Sequence, residues 1–395
     1  MKAFLIADIA HILKGIGFDV DLFPVIILTA LIVIPVIIYS VFLLSSIIVL
    51  IFLKNEKKSS TNIPSVSVIV AVRNGEKSIA RLIDRLLNQS YSGNVEFILV
   101  DDESNDNTAF LIKDIEKRDQ RFKYASSLDG SKNLSHKKRA LDAGIKISKN
   151  SILLFTDVDC DVSSKWVESM ASSFSNNIDY VIGFSRAQLK FGFANLFQRV
   201  DFLILFFSAV AATYIKYPLA ASGQNQAYRR ELFQKVGGYS KISKLLMGDD
   251  SIFLQLCLKH NINVKFCLIQ ESFVYCRPEK TWKNLLFQRA RWAGDGKIMW
   301  KYNFLFFSIM VSTVLINLLV IILLFLDWGY LLLSIITIKF ILEGLLAYIG
   351  SYRLNQKISI SDFMFWFILN IPYVCAMCFS SFFVRFISWR NRGQK

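Results

Sequence analysis

The stretch Ser151-Ile-Leu-Leu-Phe-Thr-Asp157-Val-Asp159-Cys-Asp161 joins a short apolar run to three acidic residues. The four apolar residues predict a buried strand. Because alternate side chains of an extended chain point the same way, we expect Asp157 and Asp159 to converge beyond the strand end, with Asp161 as a third candidate. Two carboxylates at the carboxyl edge of an α/β sheet suit a divalent ion that also binds phosphate oxygens. The alternative is an acidic turn that caps the next helix.

Charge and cysteine usage narrow the class of protein. The chain has 395 residues and a formal net charge of +15, which suits phosphate-bearing substrates and an anionic membrane face. We expect no nucleic-acid partner, since the sequence has neither a dense Lys/Arg tract interleaved with aromatic residues nor zinc-finger spacing. The six cysteines also lack zinc-site spacing, and two lie in an apolar run, so a disulfide framework is not expected. This favours a reducing, cytoplasmic location for the polar part of the chain.

Long apolar runs predict an integral protein of the cell's inner or plasma membrane. Residues 23–53 are about thirty residues without a charge, enough to cross a bilayer with some tilt, so we predict a retained transmembrane helix. We expect residues 1–22 to form an interfacial helix and residues 54–64 a polar linker. Residues 301–395 predict a transmembrane region of about three helices. Its apolar runs are 304–326, 330–349 and 363–386.

The terminal spans raise a topology problem. If the polar domain is cytoplasmic, one span before it and three after it place both termini outside. Four basic residues near the C-terminus nevertheless favour an inside end. Either the segment that contains Pro372 does not cross the membrane fully, or the tendency of basic residues to stay on the cytoplasmic side is overridden here. The basic residues are Arg385, Arg390, Arg392 and Lys395.

Residues 65–300 alternate between strand and helix patterns. Predicted strands at 65–72, 97–100, 152–155 and 180–183 are separated by helical patterns, which indicates an α/β domain with a mostly parallel sheet and right-handed crossovers. The apolar stretch Phe202–Ala212 is eleven residues long, too short to span a bilayer. We expect either a buried helix or an interfacial helix beside the membrane.

Two polar clusters follow the first two predicted strands. Asn74 and Glu76 follow the first, and Asp101 and Asp102 follow the second. A nucleotide binds at this edge of such a sheet, and carboxylates accept hydrogen bonds from a base or a ribose. Ordinary helix capping is the alternative for each residue taken singly.

A lysine and an acidic pair stand before two later helices. Lys137 can reach a phosphate as a compact point charge, although surface lysines are usually just solvated. Asp250, in Gly248-Asp249-Asp250, precedes an apolar helix. It is either a helix cap or a general base that takes a proton from an acceptor hydroxyl.

The sequence Gln288-Arg-Ala-Arg291-Trp292 lies just before the C-terminal apolar runs. On a helix Gln288, Arg291 and Trp292 share one face. The guanidinium fork suits diphosphate oxygens, and the indole offers an apolar wall for a sugar. The alternative is an aromatic and basic belt at the membrane interface.

Taken together and in order, these motifs resemble the membrane-integrated inverting glycosyltransferases of family 2, which include cellulose, hyaluronan and poly-N-acetylglucosamine synthases and ceramide glucosyltransferase. The resemblance covers Ser65 to Trp292. The chain departs from the family at Gly248-Asp249-Asp250, where Thr-Glu-Asp or Gly-Glu-Asp is common. The similar segments are Val68–Glu76, Val100–Thr108, Lys137 with Ala140-Leu141, Asp157–Asp159, Ser222–Phe233, Val236–Tyr239 and Gln288–Trp292.

The resemblance implies a GT-A fold, which is Rossmann-like, on the cytoplasmic membrane face. It implies that Asp101 or Asp102 contacts the nucleotide base and that Lys137 lies near the phosphates. It further implies Mg²⁺ or Mn²⁺ at Asp159 with Asp157, and Asp250 as the base. Gln288, Arg291 and Trp292 would form the acceptor and diphosphate end.

The predicted activity is transfer of a hexose or N-acetylhexosamine from a nucleotide-diphosphate sugar to a lipid, a lipid-linked acceptor or a growing glycan. A processive polysaccharide synthase is an alternative within this class. A non-catalytic nucleotide sensor in the membrane is the alternative outside it, although such a sensor needs neither Asp250 nor Trp292. The sequence leaves the sugar, the acceptor and any partner subunits open.

Overall fold

The polar part of the chain folds around a seven-stranded sheet, and long apolar helices flank it. A computed structural model describes residues 22–54, 63–175, 177–188 and 190–386. The predictions for the first 21 residues, for most of the linker and for the basic residues after 386 fall outside these ranges.

Ten strands and twelve α-helices are described within these ranges. The strands are β1 (Val66–Val72), β2 (Val95–Asp101), β3 (Phe122–Ser126), β4 (Ile152–Phe155), β5 (Cys160–Asp161), β6 (Tyr180–Gly183), β7 (Ser185–Ala187), β8 (Gln226–Arg229), β9 (Val264–Cys267) and β10 (Val274–Cys276). The helices are α1 (Leu22–Phe52), α2 (Glu76–Leu87), α3 (Thr108–Arg118), α4 (His136–Ile147), α5 (Trp166–Ala171), α6 (Phe193–Tyr214), α7 (Arg230–Val236), α8 (Ser251–Leu258), α9 (Trp282–Ile298), α10 (Phe304–Leu323), α11 (Gly329–Arg353) and α12 (Ile360–Ser380).

The main sheet has the strand order β3-β2-β1-β4-β8-β6-β9. Strand β1 runs parallel to β2 and β4, while β8 is antiparallel to β4 and β6. A second, three-stranded sheet has the order β5-β10-β7. The α/β class with a mostly parallel main sheet is therefore confirmed.

Strand β1 shows why the sequence predicts the sheet so well. Its β-branched run is buried on both faces, as expected for a parallel strand covered by helices. Val66, Val68 and Val70 pack into the core on one face, whereas Ile69 packs on the other face. The core on the Ile69 side continues into α1 and α11, so the sheet and the apolar helices share one hydrophobic core.

Among the described residues, five helices are long and apolar enough to cross a membrane by length and composition: α1, α6, α10, α11 and α12. The prediction of an eleven-residue apolar helix was wrong, because α6 has 22 residues. Polar residues that appear to end the apolar stretch lie inside the helix and are paired there. Gln198 donates to the Glu279 backbone oxygen at 2.9 Å, and Asp201 forms an ion pair with Arg289 at 2.8 Å. Most of α6 is buried, which agrees with the buried-helix interpretation.

Charged side chains join the apolar helices internally. Lys339 and Glu343 form a buried pair on α11, with Nζ and Oε1 2.5 Å apart. The Tyr39 hydroxyl of α1 donates to the same Glu343 oxygen. At the end of α11, the Arg353 guanidinium donates to the Leu50 oxygen of α1 at 2.9 Å. These contacts fix α11 against α1.

Both ends of α12 contact helices that adjoin the polar domain. At its start Asp362 forms an ion pair with Arg199 of α6. After its end, residues 381–386 pack on α9, and the Lys297 ammonium lies 5.3 Å from the Phe382 ring centroid.

Candidate active site

The turns that follow β1 and β2 are joined by hydrogen bonds. Asn74 has φ 49°, in the left-handed region that asparagine tolerates better than most residues. Its amide donates to the Ser104 hydroxyl, and its side-chain oxygen accepts from the Asn105 amide, both at 2.9 Å. Arg73 donates to the Asp102 backbone oxygen at 2.7 Å. The two polar clusters from the sequence thus form one continuous edge.

The acidic residues on this edge differ in burial. Asp101 and Asp102 are buried at the end of β2, and Asp101 accepts from the Ser104 amide at 3.3 Å. Glu76 is exposed and accepts from the Asn107 side-chain amide at 2.7 Å. The buried pair is therefore held rigidly, while Glu76 lies toward solvent.

The segment between β4 and β5 lies against this edge. A Cβ added to Gly75 would lie 2.4 Å from the Val72 side chain and 3.3 Å from that of Val158, so glycine lets the turn after β1 pack closely against Val72 and Val158. Asp157 and Asp159 are half-buried on either side of Val158. Asp161 does not join them, because Arg85 binds it at 2.7 Å and Arg81 also contacts it. The expectation of Asp161 as a third converging carboxylate was wrong.

Lys137 bridges two acidic segments that are far apart in the sequence. Its ammonium lies 2.8 Å from Asp157 Oδ1 and 3.3 Å from Asp249 Oδ2. Burial alone would lower the pKa of Lys137, but these two carboxylates outweigh it and raise that pKa well above its usual value. A fixed positive charge therefore lies between the end of β4 and the start of α8.

Asp250 lies beside this bridge. It caps α8 by accepting from the Ser251 amide at 2.6 Å, and its second oxygen accepts from the Gly223 amide at 3.1 Å. A Cβ on Gly223 would lie 3.0 Å from the Lys137 ammonium and 3.2 Å from Asp249 Oδ2, so a larger residue would crowd the charged groups here. Burial and the charge of Asp249 raise the pKa of Asp250 to about 6.

Lys138 holds the loop that presents the acidic pair. It is 1% exposed, and its ammonium donates to the backbone oxygens of Leu245 and of Met247, the latter at 3.0 Å. The two adjacent lysines at the start of α4 therefore bind different partners. Lys137 contacts the carboxylates, and Lys138 contacts the loop before Asp249.

Helix α9 carries the Gln288–Trp292 motif. Gln288 donates to the Glu279 carboxylate at 3.2 Å, and both Arg291 and Trp292 are half-buried. The Trp292 ring packs edge-on against Phe202, with centroids 5.7 Å apart. The motif therefore lies where α6 meets the polar domain.

Three residues of the site carry no clear signal in the sequence. Asp249 appears only as the neighbour of Asp250, yet it pairs with Lys137. Arg289 appears as a variable position, yet it is 3% exposed and paired with Asp201. Asp295, one turn after Arg291, has its pKa raised to about 8 by burial and by the charges of Asp250 and Asp249. Helical spacing from Arg291 could have identified only the last of these.

The residues present fit a divalent ion that takes most of its ligands from elsewhere. Within the described part of the chain, no group of three or more His, Cys, Asp or Glu side chains could hold a metal ion. Asp157 and Asp159 offer two carboxylates, and Lys137 engages only one oxygen of Asp157. Two carboxylates plus substrate phosphates are the usual protein environment of Mg²⁺. The six cysteines are all free thiols.

Two family models match the chain in succession. "Glycosyl transferase family 2" matches residues 67–237, and "Glycosyl transferase family group 2" matches residues 192–379. Together they cover the sheet, both acidic segments, the Gln288–Trp292 helix and the C-terminal apolar helices. The chain belongs to the family 2 glycosyltransferases, a class of enzymes.

Curated relatives agree with the family. An uncharacterized glycosyltransferase, EpsJ, from Bacillus subtilis is 32% identical over 121 residues, 31% of this chain and 33% of the relative. Glycosyltransferase AglE from Haloferax volcanii is 24% identical over 60% of this chain and 75% of the relative. Beta-monoglucosyldiacylglycerol synthase from Trichormus variabilis is 24% identical over 61% of this chain and 51% of the relative. The chain thus spans from a third to three quarters of the length of these relatives.

A solved structure shows the shared fold. The mannosyltransferase PcManGT from Pyrobaculum calidifontis, solved with GDP-Man and Mn²⁺, superposes with a TM-score of 0.54 at 15% identity. The superposition covers 89% of this chain and 99% of the mannosyltransferase. The predicted GT-A fold is confirmed.

Proposed function

We propose that this protein is a membrane-bound inverting glycosyltransferase that moves a sugar from a nucleotide-diphosphate sugar to a lipid or lipid-linked acceptor. The observation that carries the proposal is the Lys137 bridge between Asp157 and Asp249, with Asp250 beside it. This arrangement places a cation, a metal-binding motif and a candidate base at one edge of the sheet.

The donor half of the site uses the rigid edge after β1 and β2. Asp101 or Asp102 accepts hydrogen bonds from the nucleoside, with Asn74 and Glu76 lining the same edge. Asp159, assisted by Asp157, would hold Mg²⁺ or Mn²⁺, which would supply Lewis-acid neutralisation of the diphosphate charge. The Mn²⁺ in the mannosyltransferase structure supports this assignment.

Asp250 acts on the acceptor. It takes the proton from the acceptor hydroxyl, whose oxygen bonds to the anomeric carbon from the face opposite the diphosphate. The bond from that carbon to the diphosphate oxygen breaks, and the nucleoside diphosphate leaves. Lys137 and Arg291 stabilise the charge of the leaving diphosphate. A base whose pKa is about 6 is ionised at neutral pH and still accepts a proton readily.

A lipid acceptor is favoured by the position of the site. Helix α9, with Gln288, Arg291 and Trp292, is followed within a few residues by α10, a candidate membrane span. The named product of the diacylglycerol synthase relative supports the same class of acceptor. Lys54 at the end of α1 favours a cytoplasmic orientation for the domain.

The test is release of nucleoside diphosphate by the protein in bilayer discs of bacterial-type lipids, across a panel of nucleotide-sugars with Mg²⁺, Mn²⁺ or chelator. Turnover of one donor should require the metal. The turnover of Asp250→Asn should fall about 100-fold or more, the usual contribution of a general base. Asp159→Asn should lose the metal-dependent turnover, because it removes a ligand of the ion. Asp161→Asn is the matched control, because it removes the same charge two residues from Asp159 but outside the site.

The outcomes separate the alternatives. Full transfer by Asp250→Asn would remove Asp250 as the base. Nucleotide binding without turnover of any donor would favour the sensor interpretation. A ladder of products instead of one added sugar would identify a processive synthase.

A further inference from the structure

A buried ion pair joins α6 and α9 outside the catalytic cluster. Asp201 and Arg289 are 2.8 Å apart, and their side chains are 7% and 2% exposed. Within the described residues, none of the three guanidinium nitrogens of Arg289 has a hydrogen-bond partner, and neither has Asp201 Oδ2, so the pair is a contact of opposite charges rather than an aligned hydrogen bond. A buried pair with so few other polar contacts gains little stability over an apolar pair of the same shape. Its position therefore calls for another explanation.

Aromatic rings take the place of polar partners around Arg289. Its guanidinium carbon lies 4.1 Å from the Trp292 ring centroid and 4.6 Å from the Phe202 centroid. Trp292 is three residues further along α9, so the two side chains are neighbours on one face. Cation–π contact at this distance orients both groups, and desolvation strengthens it. Asp201 in turn holds the guanidinium in place.

A second set of contacts joins the same two helices. The Gln198 side chain accepts from the Glu279 amide at 3.0 Å and donates to the Glu279 backbone oxygen at 2.9 Å. The Glu279 carboxylate accepts from Gln288. Gln198, Asp201 and Phe202 are spaced i, i+3 and i+4, so one face of α6 supports the Gln288–Trp292 motif.

We propose that Asp201 and Arg289 are positioning residues that fix the Trp292 indole as the wall of the acceptor site. This inference rests on the proposed function of Trp292 in acceptor binding. Asp201 and Arg289 touch neither donor nor acceptor and act through the indole alone. Helix α6, which also contacts α11 and α12, thereby links the orientation of the acceptor wall to the membrane helices.

The test is a double-mutant cycle in the full-length protein in bilayer discs. Asp201→Asn with Arg289→Gln replaces the ion pair by two neutral polar side chains, called here the neutral pair, so no charge is left buried and unpaired. We expect about a tenfold rise in the acceptor KM, the size of a desolvated cation–π contact. The Kd for nucleoside diphosphate should not change. Arg289→Lys keeps the charge but loses the planar stack on the indole. Its acceptor KM should lie between that of the neutral-pair variant and that of the natural protein.

The decisive comparison uses the Trp292→Ala background. Because the pair acts through the indole, the neutral pair should raise the acceptor KM no further once Trp292 is absent. A further tenfold rise in the acceptor KM in that background would overturn the inference. An unchanged acceptor KM in the neutral-pair variant that keeps Trp292 would overturn it as well.

A readout without turnover separates this inference from the proposed function. The difference in fluorescence between the protein and its Trp292→Phe variant reports the indole itself. The neutral pair should shift this difference spectrum to longer wavelength, whether or not any donor is turned over. An unchanged spectrum would overturn the inference even in an active enzyme. The matched control is Arg199→Gln with Asp362→Asn, a neighbouring ion pair of α6 that faces α12, and it should leave the spectrum unchanged.

Discussion

Asp250 caps α8 through one oxygen and accepts from the Gly223 amide through the other. The sequence presents capping and proton transfer as alternatives, but a carboxylate has lone pairs enough for both. The caps fix the side chain in one orientation. Burial and Asp249 then raise its pKa to about 6.

A pH dependence follows at the residue scale. Only ionised Asp250 can take a proton, so kcat/KM for the donor should fall as the pH falls through about 6. Asp249→Asn removes a charge that raises this pKa, so the fall in its remaining activity should move to lower pH. Initial rates at pH 4.5 to 8.5, an assay range of about four pH units that spans the expected transition, measure both profiles. Identical profiles in the two proteins would contradict the pairing of Asp249 with Asp250.

The sequence identifies single residues here but not their partners. Asp157, Asp250 and Lys137 stand in recognisable motifs, whereas the Lys137–Asp249 contact joins segments separated by five strands. No spacing rule connects such segments. Asp161 lies outside the site because it pairs with Arg81 and Arg85 of α2. The sequence of the acidic stretch alone does not predict these partners.

Helix α6 is the element that the sequence describes least well. Its polar residues break the apolar pattern, which makes the helix look half its real length. In the fold these residues contact α9 and the loop before it, so tertiary pairing explains their presence. Strands β1, β2 and β4, in contrast, are buried on both faces, and their continuous apolar runs are easy to recognise.

A packing prediction belongs to the contact between α6 and α11. A Cβ on Gly350 would come within 2.2 Å of the Phe207 ring, which is fully buried. Gly350→Ala should therefore destabilise the protein by about 1–3 kcal/mol through overpacking. Thermal unfolding in detergent measures the loss.

The same helix offers the control. A Cβ on Gly329, at the start of α11, meets no atom within 4 Å, so Gly329→Ala should leave the unfolding temperature unchanged or slightly raised. Adding Phe207→Leu to Gly350→Ala should recover part of the loss. Equal unfolding temperatures for the two alanine variants would contradict this close contact.

At the scale of the whole molecule, the contacts of α12 bear on the topology problem. Helix α11 ends beside the end of α1, and α12 starts six residues after Leu354, which accepts a hydrogen bond from Arg186 of β7. The chain after α12 packs on α9, and its Phe382 contacts Lys297, which lies seven residues before the start of α10. Both ends of the Pro372-containing helix therefore lie on the domain side. This favours a segment that does not cross fully.

We therefore expect the C-terminus to lie on the same side of the membrane as the catalytic domain, and the N-terminus on the opposite side. An epitope tag after Lys395 should be protected from protease in intact cells, and a tag before Met1 should be cleaved after permeabilisation of the outer envelope alone. A C-terminal tag that is cleaved under the same conditions would contradict the arrangement.

The contact of Tyr39 with Glu343 also concerns how the chain is made. Helix α1 leaves the ribosome long before α11, so in the proposed membrane arrangement the Tyr39 hydroxyl is in place before Lys339 and Glu343 arrive. A helix with two charges near its middle enters lipid poorly by itself. In this arrangement α1 supplies the hydrogen-bond donor for the Glu343 carboxylate in addition to anchoring the chain. Removing it to obtain a more soluble fragment would leave the last helices without the partner that makes their charges tolerable.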